Sequence, residues 1–173
     1  GDLGCFGQTV LRTPRLDAMA AQGMRLTQFY AGSTVCAPSR SVLMTGRHMG
    51  RSVVRGNSTK PIVLREHHPT VASVLKQAGY RTACVGKWGL GTPDNLSNPN
   101  DVGFDHFFGY VDMWHAHNFY PTFLIDGEER IALPNVVPNE GKWGQGKASE
   151  KVEYSADTIH ERAITWLRGL DPN

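Results

Sequence analysis

The stretch of residues 69–91 carries the pattern that most narrows the choice of fold. A Pro-Thr pair opens a helical segment with apolar residues on one face, and Gly79 ends it. The run Tyr80–Val85 predicts a short buried strand, and a loop rich in Gly, Pro, Asn and Asp follows. A helix, a glycine, a strand and a glycine-rich loop in succession are typical of α/β proteins. We therefore predict an α/β fold with a mostly parallel central sheet flanked by helices.

Capping and turn residues predict the neighbouring elements. Alternation of apolar and polar residues predicts a strand where a helix pattern is absent. The predicted elements are a helix after Thr13-Pro14 that stops at Gly23, a strand over Met24–Tyr30, a helix over Ser39–Thr45, a hairpin around Asp126-Gly127, and a last helix capped by Ser155.

Composition excludes several classes of protein. A hydrophobic fraction of 40% is enough to form a core, and no apolar run reaches the ~18 residues that a membrane span needs. The net charge of +2 does not by itself argue for nucleic-acid binding. The three cysteines form no Cys-x-x-Cys pair, so neither a zinc ribbon nor a thioredoxin-type pair is indicated.

The positive charge is concentrated in one block. No acidic residue lies between Asp17 and Glu66, and an uncompensated basic block of this kind attracts anions. By itself the block is most simply a solvated basic face. Its members are Arg25, Arg40, Arg47, Arg51, Arg55, Lys60 and Arg65.

The densest motif lies inside this block, over Cys36–Arg47. A thiol just before a short helix faces unpaired backbone N–H groups and the positive end of the helix dipole, which favour an anion. Arg40 is one helical turn further along the chain, and its side chain can reach back to the Cys36 thiol. A thiol in these surroundings would have a lowered pKa. A buried cysteine at a helix entry beside a surface arginine would give the same local pattern.

The string Cys-x-Pro-Ser-Arg followed by Thr-Gly-Arg resembles the signature of type I sulfatases. The resemblance extends to residues 1–7, 13–17 and 23–30 ahead of the string and to Gly86-Lys87-Trp88 after it. It implies an alkaline-phosphatase-like sulfatase domain, of which residues 1–173 form the N-terminal part, truncated at both ends. It also implies a periplasmic or secreted protein.

The resemblance implies hydrolysis of sulfate esters. A formylglycine-generating or equivalent maturation enzyme would convert Cys36 to Cα-formylglycine, and Pro38 and Ser39 match the residues that such an enzyme recognises. One hydroxyl of the hydrated aldehyde attacks sulfur and releases the alcohol, and the second expels sulfate. Arg40 matches the family arginine that supports the diol, and Lys87 matches the family lysine that contacts sulfate. The charges of these two cations oppose the charge on the transferring group.

One family position is occupied differently. Many members have a histidine two residues after the lysine, where this chain has Gly89. His117 is the candidate replacement and His115 the runner-up. Both also fit a role limited to local hydrogen bonds in an aromatic loop.

The family's divalent metal, Ca²⁺ or Mg²⁺, takes six to eight oxygen ligands when it is Ca²⁺. Cys36 as formylglycine is the one ligand that the resemblance assigns to this chain, because the family's Asp-Asp pair falls upstream of Gly1 and its Asp/Asn pair downstream of Asn173. Asp2 is therefore not assigned as a ligand. We expect these 173 residues alone to bind Ca²⁺ poorly and to show negligible sulfatase activity.

The substrate and the reaction class leave alternatives open. The sulfate ester could be an aryl sulfate, a steroid sulfate or a sulfated glycan, and no nucleic-acid partner is expected. A phosphonate or phosphate-ester hydrolase of the same superfamily would use the same diol and metal. A non-catalytic anion-binding module would use the basic block alone, and its binding would survive Cys36→Ala.

Overall fold

The computed structural model describes residues 2–57, 64, 67–92, 94 and 97–170, which form two compact units that meet in the chain at Tyr30 and Ala31. The first unit contains a 3₁₀ turn over Gly4–Phe6 and helix α1 over Pro14–Gln22. The helix begins with the proline, as predicted, because a residue at that position needs no backbone donor. The Asp17 carboxylate accepts the Cys5 N–H at 2.7 Å and so ties the turn to the helix.

The predicted strand over residues 24–30 is wrong. The segment has no strand conformation, and its large side chains are exposed, with Phe29 at 69% and Tyr30 at 79%. Strands are stable only when they pair, and none of the described residues pairs with this segment. The alternating pattern therefore indicated strand propensity, but the segment lacks the neighbouring strand with which it would have to pair.

The second unit is built on a four-stranded sheet in the order β1 (Ala83–Lys87), β2 (His106–Tyr110), β3 (Phe123–Asp126) and β4 (Glu129–Ala132). Strands β1 and β2 are parallel, with Lys87 opposite Tyr110, and the β2–β3 and β3–β4 pairs are antiparallel. The sheet of the described residues is therefore mixed, and the prediction of a mostly parallel sheet holds for one pair only.

Helices cover both faces of this sheet, which confirms the α/β prediction. Neighbouring residues of a strand point to opposite faces, so Phe107 and Phe108 of β2 enter two separate core clusters. The Phe107 cluster includes Ala37 of helix α2, and the Phe108 cluster packs against Ile159 of helix α4. The helices of this unit span Cys36–Thr45 (α2), Val71–Gln77 (α3) and Ser155–Arg168 (α4).

Helix ends test the predicted caps. Thr70 caps α3 through a reciprocal capping box with Ser73, and the Asp126-Gly127 turn joins β3 to β4 with a φ of 58° at Gly127, as predicted. The predicted cap at Ser155 is wrong, because this residue is already helical and its hydroxyl donates to the Phe119 carbonyl at 2.8 Å.

The longest helix of the described residues, α4, has 14 residues, and no helix in that part of the chain is both long and apolar enough to cross a membrane.

Candidate active site

Helix α2 places Cys36 and Arg40 on one turn. It begins at Cys36, three residues before the predicted start, because Val35 is extended and Ala37 and Pro38 continue into the buried face of the helix. Proline is tolerated in a first turn, where its missing N–H costs no helical hydrogen bond. The segment ends at Gly46 in the left-handed conformation. The thiol is therefore the first side chain of the helix, at its positive end.

Two groups from elsewhere in the chain approach the Cys36 thiol. The Asn57 amide nitrogen lies 3.4 Å from Sγ, and the Asn57 carbonyl oxygen accepts the Ala37 N–H at 3.3 Å. Burial raises the pKa of the Cys36 thiol, but the hydrogen bond with Asn57, the charge of Lys87 and the Ala37 N–H outweigh it, and the pKa is lowered. By contrast, burial raises the pKa of Cys84 to about 11. The two thiols thus differ in the way that separates a reactive cysteine from an inert one.

Lys87 is held at the carboxyl end of β1. The Trp88 N–H donates to the Tyr110 carbonyl at 2.8 Å, so the chain leaving β1 follows the end of β2. The Arg40 guanidinium donates to the Lys87 carbonyl, which links helix α2 directly to the end of the strand. The structure thus brings together Cys36, Arg40 and Lys87, three of the four predicted catalytic residues.

Gly89 lies against both cations. Its φ is +71°, and a Cβ atom on it would lie 3.1 Å from Lys87 Cε and 3.3 Å from Arg40 Cδ. Any side chain at this position would therefore begin beside the two site cations. The position at which the family histidine is absent is thus part of the same site.

The two candidate histidines lie in a 3₁₀ turn over His115–His117. His117 is exposed, with its ring tilted against Trp114 at 6.4 Å. No hydrogen bond or ion pair within the described part of the chain joins His117 to Cys36, Arg40 or Lys87. Its catalytic role stays a prediction.

His115, the runner-up, is fully buried between two aromatic rings. Its ring centroid lies 4.9 Å from that of Tyr110 and 4.4 Å from that of Phe123. Burial and the charge of Arg130 lower the pKa of His115 to about 4. The ring is thus a neutral core group.

Asp112 is a buried carboxylate near Lys87 that the sequence analysis did not single out. It follows β2 as Lys87 ends β1, and its Oδ1 accepts the backbone N–H groups of Trp114 and His115 at 2.7 and 3.0 Å. Burial raises the pKa of Asp112, against these N–H groups and the charge of Lys87. Its position after a strand in the aromatic segment was the available signal, because carboxyl ends of neighbouring parallel strands lie side by side.

A pocket of about 430 Å³ opens at the start of helix α2. Cys36 and Arg40 border it, so a ligand in this space would meet the thiol and a fixed cation together. Its lining residues are Ser33, Thr34, Val35, Cys36, Ser39, Arg40 and Leu43.

Arg25 and Arg55 of the basic block donate to backbone carbonyls within their own units. Arg55 uses its guanidinium on the carbonyls of Ser52 and Gly50, within its own loop. Arg25 belongs to the first unit and donates to the Cys5 carbonyl at 2.6 Å. Lys60 and Arg65 lie outside the described residues.

The described residues do not fit a metal site. None of their His, Cys, Asp and Glu side chains form a group of three that could hold an ion. Among the described residues, the groups at Cys36 are the Asn57 amide and the Lys87 ammonium, and the pocket beside it is lined by hydroxyls and Arg40 without a carboxylate, whereas Ca²⁺ sites are built largely from carboxylate and carbonyl oxygens.

Comparisons of the sequence with known proteins find a protein family and individual relatives to which the chain is similar. A protein-family model described as Sulfatase matches residues 1–173. Arylsulfatase A from Homo sapiens is 36% identical over 177 residues, which cover 99% of this chain and 32% of that protein. Arylsulfatase D from Homo sapiens is 39% identical over 122 residues, which cover 63% of this chain and 21% of that protein. The chain spans less than a third of the length of either relative.

Solved structures share the fold. A structure from work on glycosaminoglycan metabolism by Bacteroides thetaiotaomicron matches with a TM-score of 0.71 and 25% identity, over 97% of this chain and 45% of that one.

Proposed function

The chain belongs to the sulfatase family, and from this premise we propose that the protein containing it hydrolyses sulfate esters to an alcohol and inorganic sulfate. The observation that carries the proposal is the cluster at the start of helix α2, where the Cys36 thiol lies beside the Lys87 ammonium and one turn before Arg40. We further propose that residues 1–173 are the N-terminal part of a single catalytic domain. The similarity to arylsulfatases over 99% of the chain supports both statements.

The surroundings of Cys36 fit its conversion to formylglycine by a maturation enzyme. The side chain is half-buried, borders the pocket of about 430 Å³, and has a hydrogen-bond donor and acceptor in Asn57. When formed, the hydrated aldehyde supplies a hydroxyl nucleophile for the sulfur of the ester. An aldehyde at Cys84, which packs against the apolar core cluster that contains Phe107, would lack the polar partners that a hydrate needs.

The chain's own charges favour an anion at this place. Lys87 acts on residue 36 from the end of β1, and Arg40 borders the same pocket as Cys36 from the helix that carries both residues. The hydrogen bond from Arg40 to the Lys87 carbonyl holds the Arg40 guanidinium against the end of β1 before any substrate binds. Such preorganised charge lowers the energy of a transition state more than mobile solvent does.

The metal enters no step of this proposal, because the described residues do not fit it. The sulfate ester is proposed as an aryl sulfate or a sulfated glycan. The glycan is included because the Bacteroides thetaiotaomicron structure comes from work on glycosaminoglycans.

Mass spectrometry tests the first step. The chain is co-expressed with a formylglycine-generating enzyme, and the mass of the peptide that contains residue 36 is measured. We expect its mass to fall by about 18 Da, from loss of the thiol and oxidation to the aldehyde. The peptide containing Cys84 serves as the internal control and keeps its mass. An unchanged mass for the Cys36 peptide would remove the nucleophile and contradict the proposal.

Turnover by the full-length polypeptide tests the reaction. We expect release of sulfate from an aryl sulfate in the wild type and none in Cys36→Ala, with the fold retained. Release of phosphate or phosphonate at a higher rate than sulfate would favour the phosphorus hydrolase. Salt-dependent anion binding that survives Cys36→Ala, without turnover by the wild type, would favour the binding module.

A further inference from the structure

Helix α2 receives its N-terminal cap from a distant residue. The cap position is Val35, whose apolar side chain cannot accept a hydrogen bond. Asn57, which follows Cys36 by 21 residues, supplies the missing acceptor, because its Oδ1 accepts the Ala37 N–H at 3.3 Å. Asn57 therefore caps the helix from a distant point in the sequence, whereas the cap acceptor usually comes from a Ser, Asp or Asn at the cap position itself.

The same contact orients the rest of the Asn57 amide. A backbone N–H can only donate, so Ala37 requires the carbonyl oxygen of Asn57 on its side. The amide nitrogen then faces residue 36 and lies 3.4 Å from Sγ, while Oδ1 lies 3.6 Å from the same sulfur. The amide thus presents both a donor and an acceptor to the side chain at position 36.

The loop that carries Asn57 is tied to helix α2. The hydroxyl oxygens of Ser41 and Ser52 are hydrogen-bonded at 2.9 Å, and both residues are buried. Val54 is 4% exposed and packs in the same core cluster as Ala37. Asn57 therefore lies on a segment that is fixed to both the middle and the start of helix α2.

We propose that Asn57 is a positioning residue, whose side-chain amide holds the side chain at position 36 in a single orientation at the edge of the pocket. The inference rests on the proposed function, since it concerns the orientation of the nucleophile. A carbonyl oxygen has two lone pairs, so Oδ1 can accept both the Ala37 N–H and a hydroxyl of the hydrated aldehyde. The Asn57 NH₂ group donates to an oxygen of the same side chain.

Two substitutions separate positioning from capping. Asn57→Ala removes both functions, whereas Asn57→Asp keeps an acceptor for the Ala37 N–H and loses the donor to residue 36. Asn139→Ala, at an exposed asparagine in another loop, is the matched control. Each variant is made in the full-length polypeptide, and four quantities are measured: formylglycine occupancy, melting temperature, kcat and KM for an aryl sulfate.

We expect Asn57→Ala to keep its formylglycine occupancy, to lower kcat by about tenfold and to leave KM within about twofold. Asn57→Asp should restore the melting temperature without restoring kcat. The control should match the wild type throughout. A kcat for Asn57→Ala within about twofold of the wild type, or full recovery of kcat in Asn57→Asp, would overturn the inference and leave the proposed function intact. A wild type that lacks formylglycine at position 36 would instead overturn both.

Discussion

The buried ring of His115 predicts a specific dependence of stability on pH. The side chain is 0% exposed, and burial together with the charge of Arg130 holds its pKa at about 4. An unfolded chain exposes the same imidazole to water, where its pKa is about 6.5. The folded state therefore binds the proton less well than the unfolded state.

The sign and size follow from proton linkage. Between about pH 6.5 and pH 4 the unfolded state takes up a proton that the folded state refuses, so the free energy of unfolding falls as the pH falls. A difference of about 2.5 pKa units corresponds to a loss of about 1 kcal/mol at pH 5.5 and about 3 kcal/mol at pH 4. Below about pH 3 both states are protonated, and the loss of stability from His115 grows no further.

Urea unfolding at several pH values measures this loss. The change in unfolding free energy between pH 7 and pH 4 is compared between the wild type and His115→Phe, which keeps an aromatic ring between Tyr110 and Phe123. The variant should lose about 3 kcal/mol less than the wild type over this interval, because all other titrating groups cancel in the comparison. His160→Gln, at an exposed residue of α4, is the control and should follow the wild type. Parallel curves for the wild type and His115→Phe would refute the reasoning.

Three further predictions concern the site, the sheet and the chain as a whole. Gly89→Ala should lower the free energy of unfolding in urea by about 1–2 kcal/mol, because φ is +71° and the new Cβ meets Lys87 and Arg40. The control Gly169→Ala, at a residue with right-handed helical geometry, should lower it by less. Equal losses in the two variants would contradict this account. The Lys76 ammonium and the Thr82 N–H hold the pKa of Asp105 at about 2. Acid unfolding followed by circular dichroism should therefore show that Asp105→Asn loses less stability than the wild type below about pH 4. Identical acid transitions for the two proteins would contradict this prediction. The 173 residues alone should release no measurable sulfate from an aryl sulfate in a continuous assay, and turnover by them would show that the described cluster suffices without further ligands.

The sequence was informative where short-range chemistry determines structure. Helices α1 and α3 and the turn at Gly127 follow from proline, threonine and glycine acting on their immediate neighbours. The Cys-x-Pro-Ser-Arg string identified residue 36 and its arginine partner, since residues four apart lie on the same side of a helix. These features needed no knowledge of what packs against them.

The sequence was less informative where a partner is required. The segment Met24–Tyr30 has strand propensity but lacks a neighbour among the described residues, and β3 pairs antiparallel with β2, which the local sequence did not indicate. Ser155 has the chemistry of a cap, yet its hydroxyl bonds to the Phe119 carbonyl. In each case the presence or absence of a tertiary partner decided between structures that the local sequence allows equally.

The sequence by itself determined that a thiol stands at the start of a helix with an arginine one turn away, because both lie within five consecutive residues. Only the tertiary structure decided what surrounds that thiol. Asn57 reaches it from a returning loop, and Lys87 reaches it from the end of a strand. Hydrogen bonds and charge act over a few ångströms of space, and the distance between two residues along a chain does not reveal whether folding brings them that close.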